Sequence, residues 1–487
     1  MNEEPRIGID LEAIRDAMER FDPSPRIEPN ARIELDEVFF PEGHRSILDM
    51  RRQLVVGNRG MGKSFWTHVL ANVELRDRLA EIYRLPSLSS LEVVIGFNGS
   101  EKQSDIAPTK DEISHAVELG YDPDLIWRAV LIRATLPTLG DMGTQSDLNA
   151  LMGELRNSPN LYSQTLTRTD SILTKSRKSL LIVFDALDLL SLDWSDIRRL
   201  TRALLIRAVG LQSFQSIRLK IFMRADQFAD GELFQFPDAS KIRNDHVSLI
   251  WRSYELYGLL LFSIMRYPNG MRNLQTLADR SGLTAALPRE GRVNRLAISE
   301  QARLINEIAG EFMGTHKKRG RVYTWVPLHL SDAANTCSPR TFLTAWKTAA
   351  EHIPPPTRRV VDHLGLIEGV RTASATRMTD LREDYPWIDH ALGALQGKFV
   401  PIIKDDLFEI WREAKVTETI LSQAAFNNGK APIGLTEIGN VQALLDVMKS
   451  IAVMEERANG KINVPDIFRV EAKILRRGGV AVPNAGK

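Results

Sequence analysis

Cysteine is almost missing from this chain of 487 residues, which has a single one, Cys337. One cysteine excludes an internal disulfide and a thiolate zinc cluster, and it agrees with a reducing compartment. We therefore interpret Cys337 as a packing residue. The histidines are scattered without the spacing of metal ligands, so Mg²⁺ is the only metal that we expect.

Long apolar runs are missing as well. No run approaches the roughly 20 residues that a helix needs to span a bilayer, and the run from Tyr257 to Met265 is too short. The first residues are acidic where a secretory signal would be basic. We therefore expect a cytoplasmic protein that does not contact a membrane.

The chain also lacks an excess of charge of either sign, because its formal net charge is +1. No global field draws the chain to nucleic acid or to anionic lipid, so any such binding must be local. Two basic segments are candidates, His316 to Arg321 and Lys473 to Arg477. Each is equally well explained as solvated surface.

A phosphate-binding motif is present between an apolar run, Leu54 to Val56, and a helix-like run, Phe65 to Leu75. Its glycines allow backbone N–H groups to curl around an anion. Lys63 can neutralise the β- and γ-phosphates, and the Ser64 hydroxyl can ligate Mg²⁺. The predicted nucleotide-binding residues are Gly57, Asn58, Arg59, Gly60, Met61, Gly62, Lys63, Ser64 and Phe65.

Short β-rich runs alternate with helical patterns after this motif. They are 91–95, 180–184, 219–223 and 247–250. Continuous apolar strands separated by helices predict a parallel sheet covered on both faces, and hence an α/β fold. A helical insertion at about 98–175 includes the patterns Asp124 to Leu136 and Leu148 to Arg156.

Helical periodicity takes over past Trp251, and the run Pro354 to Pro356 stops the last of these helices. We predict an N-terminal arm (1–34), an NTPase core (35–252), a helical lid (253–353) and a C-terminal domain (354–487). The end of the chain has a helix, Val441 to Ser450, followed by two β-like runs around Asn459-Gly460. Asn-Gly between two such runs predicts a hairpin, and helices followed by a hairpin suggest a winged helix.

Asp185 follows the buried run that ends at Phe184, where a carboxylate can hold Mg²⁺ beside the phosphate loop. A helix cap is the alternative role. Hydrolysis also needs a carboxylate that orients water, and Ala186 occupies the position where an Asp-Glu pair would have its second acid. Asp188 is the nearest replacement, with a cap or a salt bridge as its alternative.

Two arginines are candidate sensors of the γ-phosphate. Arg224 follows the fourth strand run, where a guanidinium can bind phosphate bidentately or form a salt bridge at the sheet edge. Arg340 follows Ser338-Pro339, a helix cap and a first helical position. A cation is disfavoured at a helix N-terminus, so this misfit favours an anion contact.

Together these motifs resemble the AAA+/STAND/KAP division of P-loop NTPases over roughly residues 35 to 350. The Asp185 to Asp188 pattern is similar to that of KAP ATPases, and Arg224 is similar to the equivalent arginine of STAND ATPases. The resemblance implies a sheet of order 5-1-4-3-2, a lid that carries Arg340, nucleotide between core and lid, and oligomers with an arginine finger. Soluble bacterial members of this division often belong to multi-gene antiphage defence or plasmid-exclusion systems, so the resemblance suggests such a system, here multi-protein antiphage defence.

The main hypothesis is a regulatory ATPase that binds ATP-Mg²⁺ and couples nucleotide state to oligomerisation or to engagement of another protein. The alternative is an ATP-dependent DNA-binding loader or initiator that uses a C-terminal winged helix. Its candidate DNA contacts are Arg457, Lys461, Arg469, Lys473, Arg476 and Arg477. A third hypothesis is an inactive scaffold that nucleotide stabilises, because Ala186 replaces the usual acid.

Overall fold

A computed structural model describes residues 8–24, 38–140, 147–191, 193–426, 431–432, 434–477 and 480. Its centre is a five-stranded sheet in which all neighbours are parallel, in the order β2-β3-β4-β1-β5. The strands are β1 Leu54–Val56, β2 Leu91–Phe97, β3 Ser179–Phe184, β4 Ile217–Met223 and β5 Val247–Ser248. Read from the other edge this is 5-1-4-3-2, so the predicted α/β sheet is confirmed.

Both faces of the sheet are buried, as the continuous apolar strands predict. In β3, Leu180, Ile182 and Phe184 join one apolar cluster, whereas Leu181 and Val183 join another on the opposite face. The helices of this region are α2 Lys63–Ala71, α3 Val73–Ile82, α4 Lys110–Glu118, α5 Pro123–Leu139, α6 Leu148–Asn157, α7 Leu161–Ser176, α8 Trp194–Gly210, α9 Ala225–Ala229 and α10 Ala239–Arg243. Helices α4 to α7 lie between β2 and β3.

One charged side chain lies inside the sheet, that of Lys220 in β4, which has no exposed surface. Its ammonium donates to the backbone oxygens of Ile47 and Asp49, both at 2.7 Å, and of Arg52 at 2.5 Å. The three N–H donors of the ammonium are thus all paired with backbone oxygens. The contact fastens the segment that precedes β1 to the sheet.

The rest of the chain is mainly helical. It contains α11 Ser253–Met265, α12 Pro268–Arg280, α13 Ile298–Ala309, α14 Val322–Leu330, α15 Pro339–Ala350, α16 His363–Asp384, α17 Ile388–Gly393, α18 Lys404–Glu413, α19 Val416–Phe426, α20 Val441–Ser450 and α21 Asp466–Arg469, with α1 Leu11–Glu19 packed against α12. One apolar cluster runs through this region, from Ile14 through Trp346 to Val480. It is continuous across the Pro354 run, and the domain boundary there stays a prediction.

Helices α15 and α16 approach so closely that only glycine fits between their backbones. A Cβ on Gly369 would lie 2.1 Å from the Ala345 oxygen, and one on Gly365 would lie 2.7 Å from the Ala349 oxygen. Such contacts leave no room for the helices to slide. Helices α15 and α16 are therefore one packed unit.

The predicted hairpin near the C-terminus is confirmed. Strands β7 Glu455–Glu456 and β8 Ile462–Asn463 pair antiparallel. Gly460 in the turn has φ 73°, which glycine adopts without strain. Two further short strands, β6 Phe399–Val400 and β9 Leu475–Arg476, pair parallel. Among the helices that the structure describes, none has the length and hydropathy to cross a bilayer.

Candidate nucleotide site

The phosphate loop connects β1 to α2 at the carboxyl edge of the sheet. The Gly57 amide donates to the Met223 oxygen at 3.1 Å, which aligns the loop with the end of β4. Gly60 and Gly62 have φ values of 78° and 100°, where a side chain would be strained. The loop leads directly into the N-terminus of α2, and a helix N-terminus that follows a glycine-rich loop is a place where anions bind.

Lys63, the first residue of α2, lies against this loop. Its ammonium donates to the backbone oxygens of Gly57 at 2.8 Å and Asn58 at 3.1 Å. Burial lowers the pKa of Lys63, and the charge of Asp185 opposes that shift. The predicted phosphate ligand and the predicted Mg²⁺ ligand are thus electrostatic neighbours.

Asp185 is buried directly after β3, and its amide donates to the Phe97 oxygen at 2.8 Å. Burial raises the pKa of Asp185, whereas the charge of Lys63 and hydrogen bonds from the Ala186 amide and the Ser64 hydroxyl act in the opposite direction. The structure therefore brings together Ser64 and Asp185, the two residues predicted to hold Mg²⁺. In the described part of the chain, no three His, Cys, Asp or Glu residues cluster to hold a metal ion by themselves. A Mg²⁺ ion here would need oxygen atoms from nucleotide and water to complete its ligands.

The backbone turns sharply after Asp185. Ala186 has φ 56°, an uncommon conformation for a residue other than glycine, and it precedes a 3-10 turn at Leu187–Leu189. Asp188 lies in that turn, with a carboxylate oxygen 3.7 Å from Nη1 of Arg224. Asp188 thus reaches the site and also has the salt bridge considered as its alternative role.

Arg224 begins at the end of β4 and is surrounded by oxygen atoms. Its guanidinium donates to both carboxylate oxygens of Asp226, at 3.0 and 3.1 Å, to Asp384 at 2.5 Å and to the Tyr385 hydroxyl at 3.1 Å. Burial alone would lower the pKa of Arg224, but the neighbouring charges of Asp226 and Asp384 raise it. The guanidinium is permanently charged and faces α16 as well as the nucleotide site.

Arg340 lies beside the phosphate loop, in the first turn of α15. Ser338 caps this helix by accepting from the Thr341 amide at 3.1 Å, as predicted. A Cβ placed on Gly60 would lie 3.4 Å from the Arg340 Cβ, so lid and loop are in contact. The Arg340 guanidinium lies 3.3 Å from Asp380 of α16.

Arg59, inside the phosphate loop, has three acidic partners in α16. Its guanidinium lies 2.6 Å from Glu383 and 3.6 Å from each of Asp380 and Asp384. Burial would lower the pKa of Arg59, but these carboxylates raise it. The sequence motif placed Arg59 among the nucleotide ligands and contained no sign of these partners.

Sequence reasoning also missed two other residues that hold the loop. Asp332 lies in the connection between α14 and α15, and its carboxylate accepts a hydrogen bond from the side-chain amide of Asn58 at 3.0 Å. Trp251 donates to the Met61 oxygen at 3.0 Å. The acidic end of α16 was visible in the sequence, but nothing local indicated what it faces.

One predicted DNA contact is wrong. Arg469 is 1% exposed, and its guanidinium donates to Asp466 and to the backbone oxygens of Ile474 and Val480. Arg476 also pairs with Asp466, at 3.2 Å. Burial of Asp466 requires these cations, so Arg469 stabilises the fold rather than contacting a ligand.

Comparison with known proteins yields no family. No protein-family model matches the chain, and no curated protein does. Among solved structures, the chain is similar to the ORC2 protein of Aeropyrum pernix in ADPNP-ADP complexes, with 11% identity over 85% of this chain and 84% of that one and a TM-score of 0.36. It is also similar to Cdc6p of Pyrobaculum aerophilum, with 13% identity over 88% of this chain and 85% of that one and a TM-score of 0.26. Likeness at these TM-scores carries no argument about function.

Proposed function

We propose that this protein is a regulatory ATPase of the AAA+ kind that binds ATP with Mg²⁺ between its core and its lid. The observation that carries the proposal is the convergence of five predicted groups on one sheet edge. Lys63, Ser64, Asp185 and Arg224 come from the core, and Arg340 comes from the lid. A phosphate loop alone supports nucleotide binding. Candidate γ-phosphate sensors on both the core and the lid support, in addition, a response to the bound nucleotide.

Each group has a defined task in this proposal. The loop amides and Lys63 bind the β- and γ-phosphates. Ser64 and Asp185 hold Mg²⁺, which neutralises phosphate charge when it is bound. Asp188 orients the attacking water and accepts its proton. The Asp188 carboxylate also lies 3.7 Å from Arg224, so the same carboxylate can contact the water and the sensor arginine. Arg224 and Arg340 stabilise the charge that develops on the γ-phosphate.

The ATPase cycle would act on other molecules through the lid. Because α15 and α16 are one packed unit, a change at Arg340 reaches the C-terminal region without an intervening hinge. We infer that nucleotide state controls a homo-oligomer or a hetero-complex with other proteins, in keeping with the resemblance to oligomeric ATPases. A role in bacterial antiphage defence belongs to this proposal. The identity of the genes that flank its own gene, and co-purification of the protein with their products, would test it.

A direct experiment compares three proteins: the wild type, Lys63→Ala and Asp188→Asn. We expect Lys63→Ala to lose nucleotide affinity, because an essential countercharge for phosphate is removed. We expect Asp188→Asn to retain nucleotide binding. Its turnover rate should fall roughly 10²-fold or more, which is the usual contribution of a positioned general base to the rate. Calorimetric binding and phosphate release measure the two quantities separately. Turnover that neither change affects would refute the ATPase proposal.

A DNA-binding loader is the second candidate, favoured by one observation. Helices α18 to α20 are followed by the β7-β8 hairpin, and Ile462 of the hairpin also bridges antiparallel to Ile402. We propose a winged helix on this basis. Duplex binding that weakens steeply as salt rises, and that Lys461→Ala reduces, would support the loader. Absence of salt-sensitive binding would remove it.

A further inference from the structure

The last turn of α16 presents three carboxylates, Asp380, Glu383 and Asp384, to the nucleotide site. We call these three residues the α16 latch. Negative side chains at the C-terminal end of a helix oppose its dipole, so this placement costs stability unless cations compensate. The compensating cations are the arginines of the phosphate site.

Three arginines beside the phosphate loop have partners in the latch. Arg59 contacts all three carboxylates, Arg224 contacts Asp384 at 2.5 Å, and Arg340 contacts Asp380 at 3.3 Å. Guanidinium groups pair with carboxylate and with phosphate through the same donor geometry. The latch and a nucleoside triphosphate therefore address the same donors.

We propose that the α16 latch takes the place of nucleotide phosphate on Arg59, Arg224 and Arg340, and that the γ-phosphate of ATP displaces it. The inference rests on the proposed function, because it requires a triphosphate in this site. Like charges repel, so a bound triphosphate and three nearby carboxylates cannot share these arginines without a cost. Nucleotide binding thus breaks the ion pairs between the latch and these arginines.

Loss of these ion pairs would weaken the attachment of a large part of the molecule to the core. Helix α16 is locked to α15 through Gly365 and Gly369, and both belong to the apolar cluster that runs to the C-terminus. The two apolar clusters on the faces of the sheet are separate from that cluster. Ion pairs are therefore one of the links between core and C-terminal region at the phosphate loop, beside the Asn58–Asp332 hydrogen bond and the packing of Trp251 against both parts.

A cavity opens beside Tyr385, the residue that follows the latch. It has a volume of about 330 Å³ and lies between the core and the C-terminal region. Trp194 and Asp226 line it from the core, and Tyr385, Trp387 and Val447 line it from the other side. The apolar surfaces of the core and the C-terminal region therefore do not close against each other beside the latch.

The test compares nucleotide affinity in the wild type, in the charge-neutral variant Asp380→Asn/Glu383→Gln/Asp384→Asn, and in a control, Asp389→Asn. Asp389 pairs with Arg382 at 2.8 Å close to the same helix end. The control therefore removes an ion pair near the latch while leaving the latch and its arginines intact. Calorimetry with a non-hydrolysable ATP analogue and with ADP, both with Mg²⁺, measures the dissociation constants.

We expect the charge-neutral variant to bind the ATP analogue about tenfold more tightly than the wild type, because competition and repulsion are both removed. ADP affinity should change by less than about threefold, since the γ-phosphate is missing, and the control should match the wild type. In the wild type, hydrogen exchange of amides 380–386 should rise with the ATP analogue and not with ADP. Unchanged or weaker binding by the charge-neutral variant would overturn the inference, because the latch would then position the arginines for nucleotide rather than compete with it.

Two further outcomes separate the causes of failure. A wild type that binds neither nucleotide would refute the proposed function and the latch together, whereas nucleotide binding with no gain in the variant refutes the latch alone. If the triple change prevents folding, Glu383→Gln replaces it, because that side chain is 56% exposed and its loss costs little stability. Tighter binding of the ATP analogue by about threefold is then expected, and no gain would overturn the inference.

Discussion

Acid should destabilise this protein through one buried histidine beside the phosphate loop. His44 is 1% exposed, and its Nδ1 accepts from the Trp66 indole at 3.1 Å. Its Nε2 therefore carries the proton and donates to the Ile250 oxygen, also at 3.1 Å. Protonation of Nδ1 would place two N–H groups face to face and put a charge among apolar side chains.

The size of the effect follows from the pKa of His44. Burial lowers that pKa from 6.5 to about 4. Above pH 6.5 the imidazole is neutral in both the folded and the unfolded chain, so the full stability is present. As the pH falls, the unfolded chain takes up the proton first, and stability is lost between pH 6.5 and pH 4. The loss reaches about 2 kcal/mol at pH 5 and about 3 kcal/mol when the folded pKa has been passed.

Urea denaturation at pH 7.5 and at pH 5.0 measures this loss. Other groups also titrate in this interval, so the informative quantity is the difference between the wild type and His44→Gln. That difference should shrink by about 2 kcal/mol at the lower pH, because only the wild type has an imidazole to protonate. The exposed His316, changed to Gln, is the control and should show no such shrinkage. A difference that stays constant would refute the assignment of a neutral, buried His44.

Two further substitutions test the packing that positions the site. Lys220→Met should lower the free energy of unfolding by about 2–4 kcal/mol, because three backbone carbonyls lose their hydrogen bonds to the ammonium. Unchanged stability in a denaturation experiment would mean that water or another group replaces the ammonium. Gly369→Ala should cost about 1–3 kcal/mol, because its Cβ would lie 2.1 Å from the Ala345 oxygen and force α15 away from α16. The matched control is Gly393→Ala, where no described atom lies within 4 Å of the new Cβ, and equal effects of the two changes would contradict close helix packing.

Local patterns predicted the sheet and the loop well because their physical requirements are local. Strand β3 was recognisable as a continuous apolar run and β4 as a β-rich run, and the phosphate loop was recognisable by the glycines that its backbone requires. Helix boundaries were predicted less accurately than the strands. The run from Phe65 to Leu75 is two helices, because Asn72 leaves the helical conformation and caps α3 through the Leu75 amide at 3.0 Å. Asparagine is a common cap, so that signal was present in the sequence.

Long-range pairing could not be predicted in the same way. Arg469 looked like a surface cation in the sequence and is buried on Asp466, because the local fold brings Ile474 and Val480 back over it. Asp384 looked like an ordinary acid at a helix end and contacts both Arg59 and Arg224. Charge and polarity are visible in a sequence, whereas the partner of a charge depends on how distant segments pack.

By itself, the sequence determined the phosphate loop, the parallel sheet and the candidates Lys63, Ser64 and Asp185, because each depends on residue types a few positions apart. Only the tertiary structure decided that the end of α16 lies against the phosphate loop. That contact depends on the glycine-mediated packing of α15 on α16 and on a shared apolar cluster, neither of which has a local pattern. The arginines around the phosphate site are therefore common to the nucleotide and to the C-terminal region, and this sharing is a property of the fold.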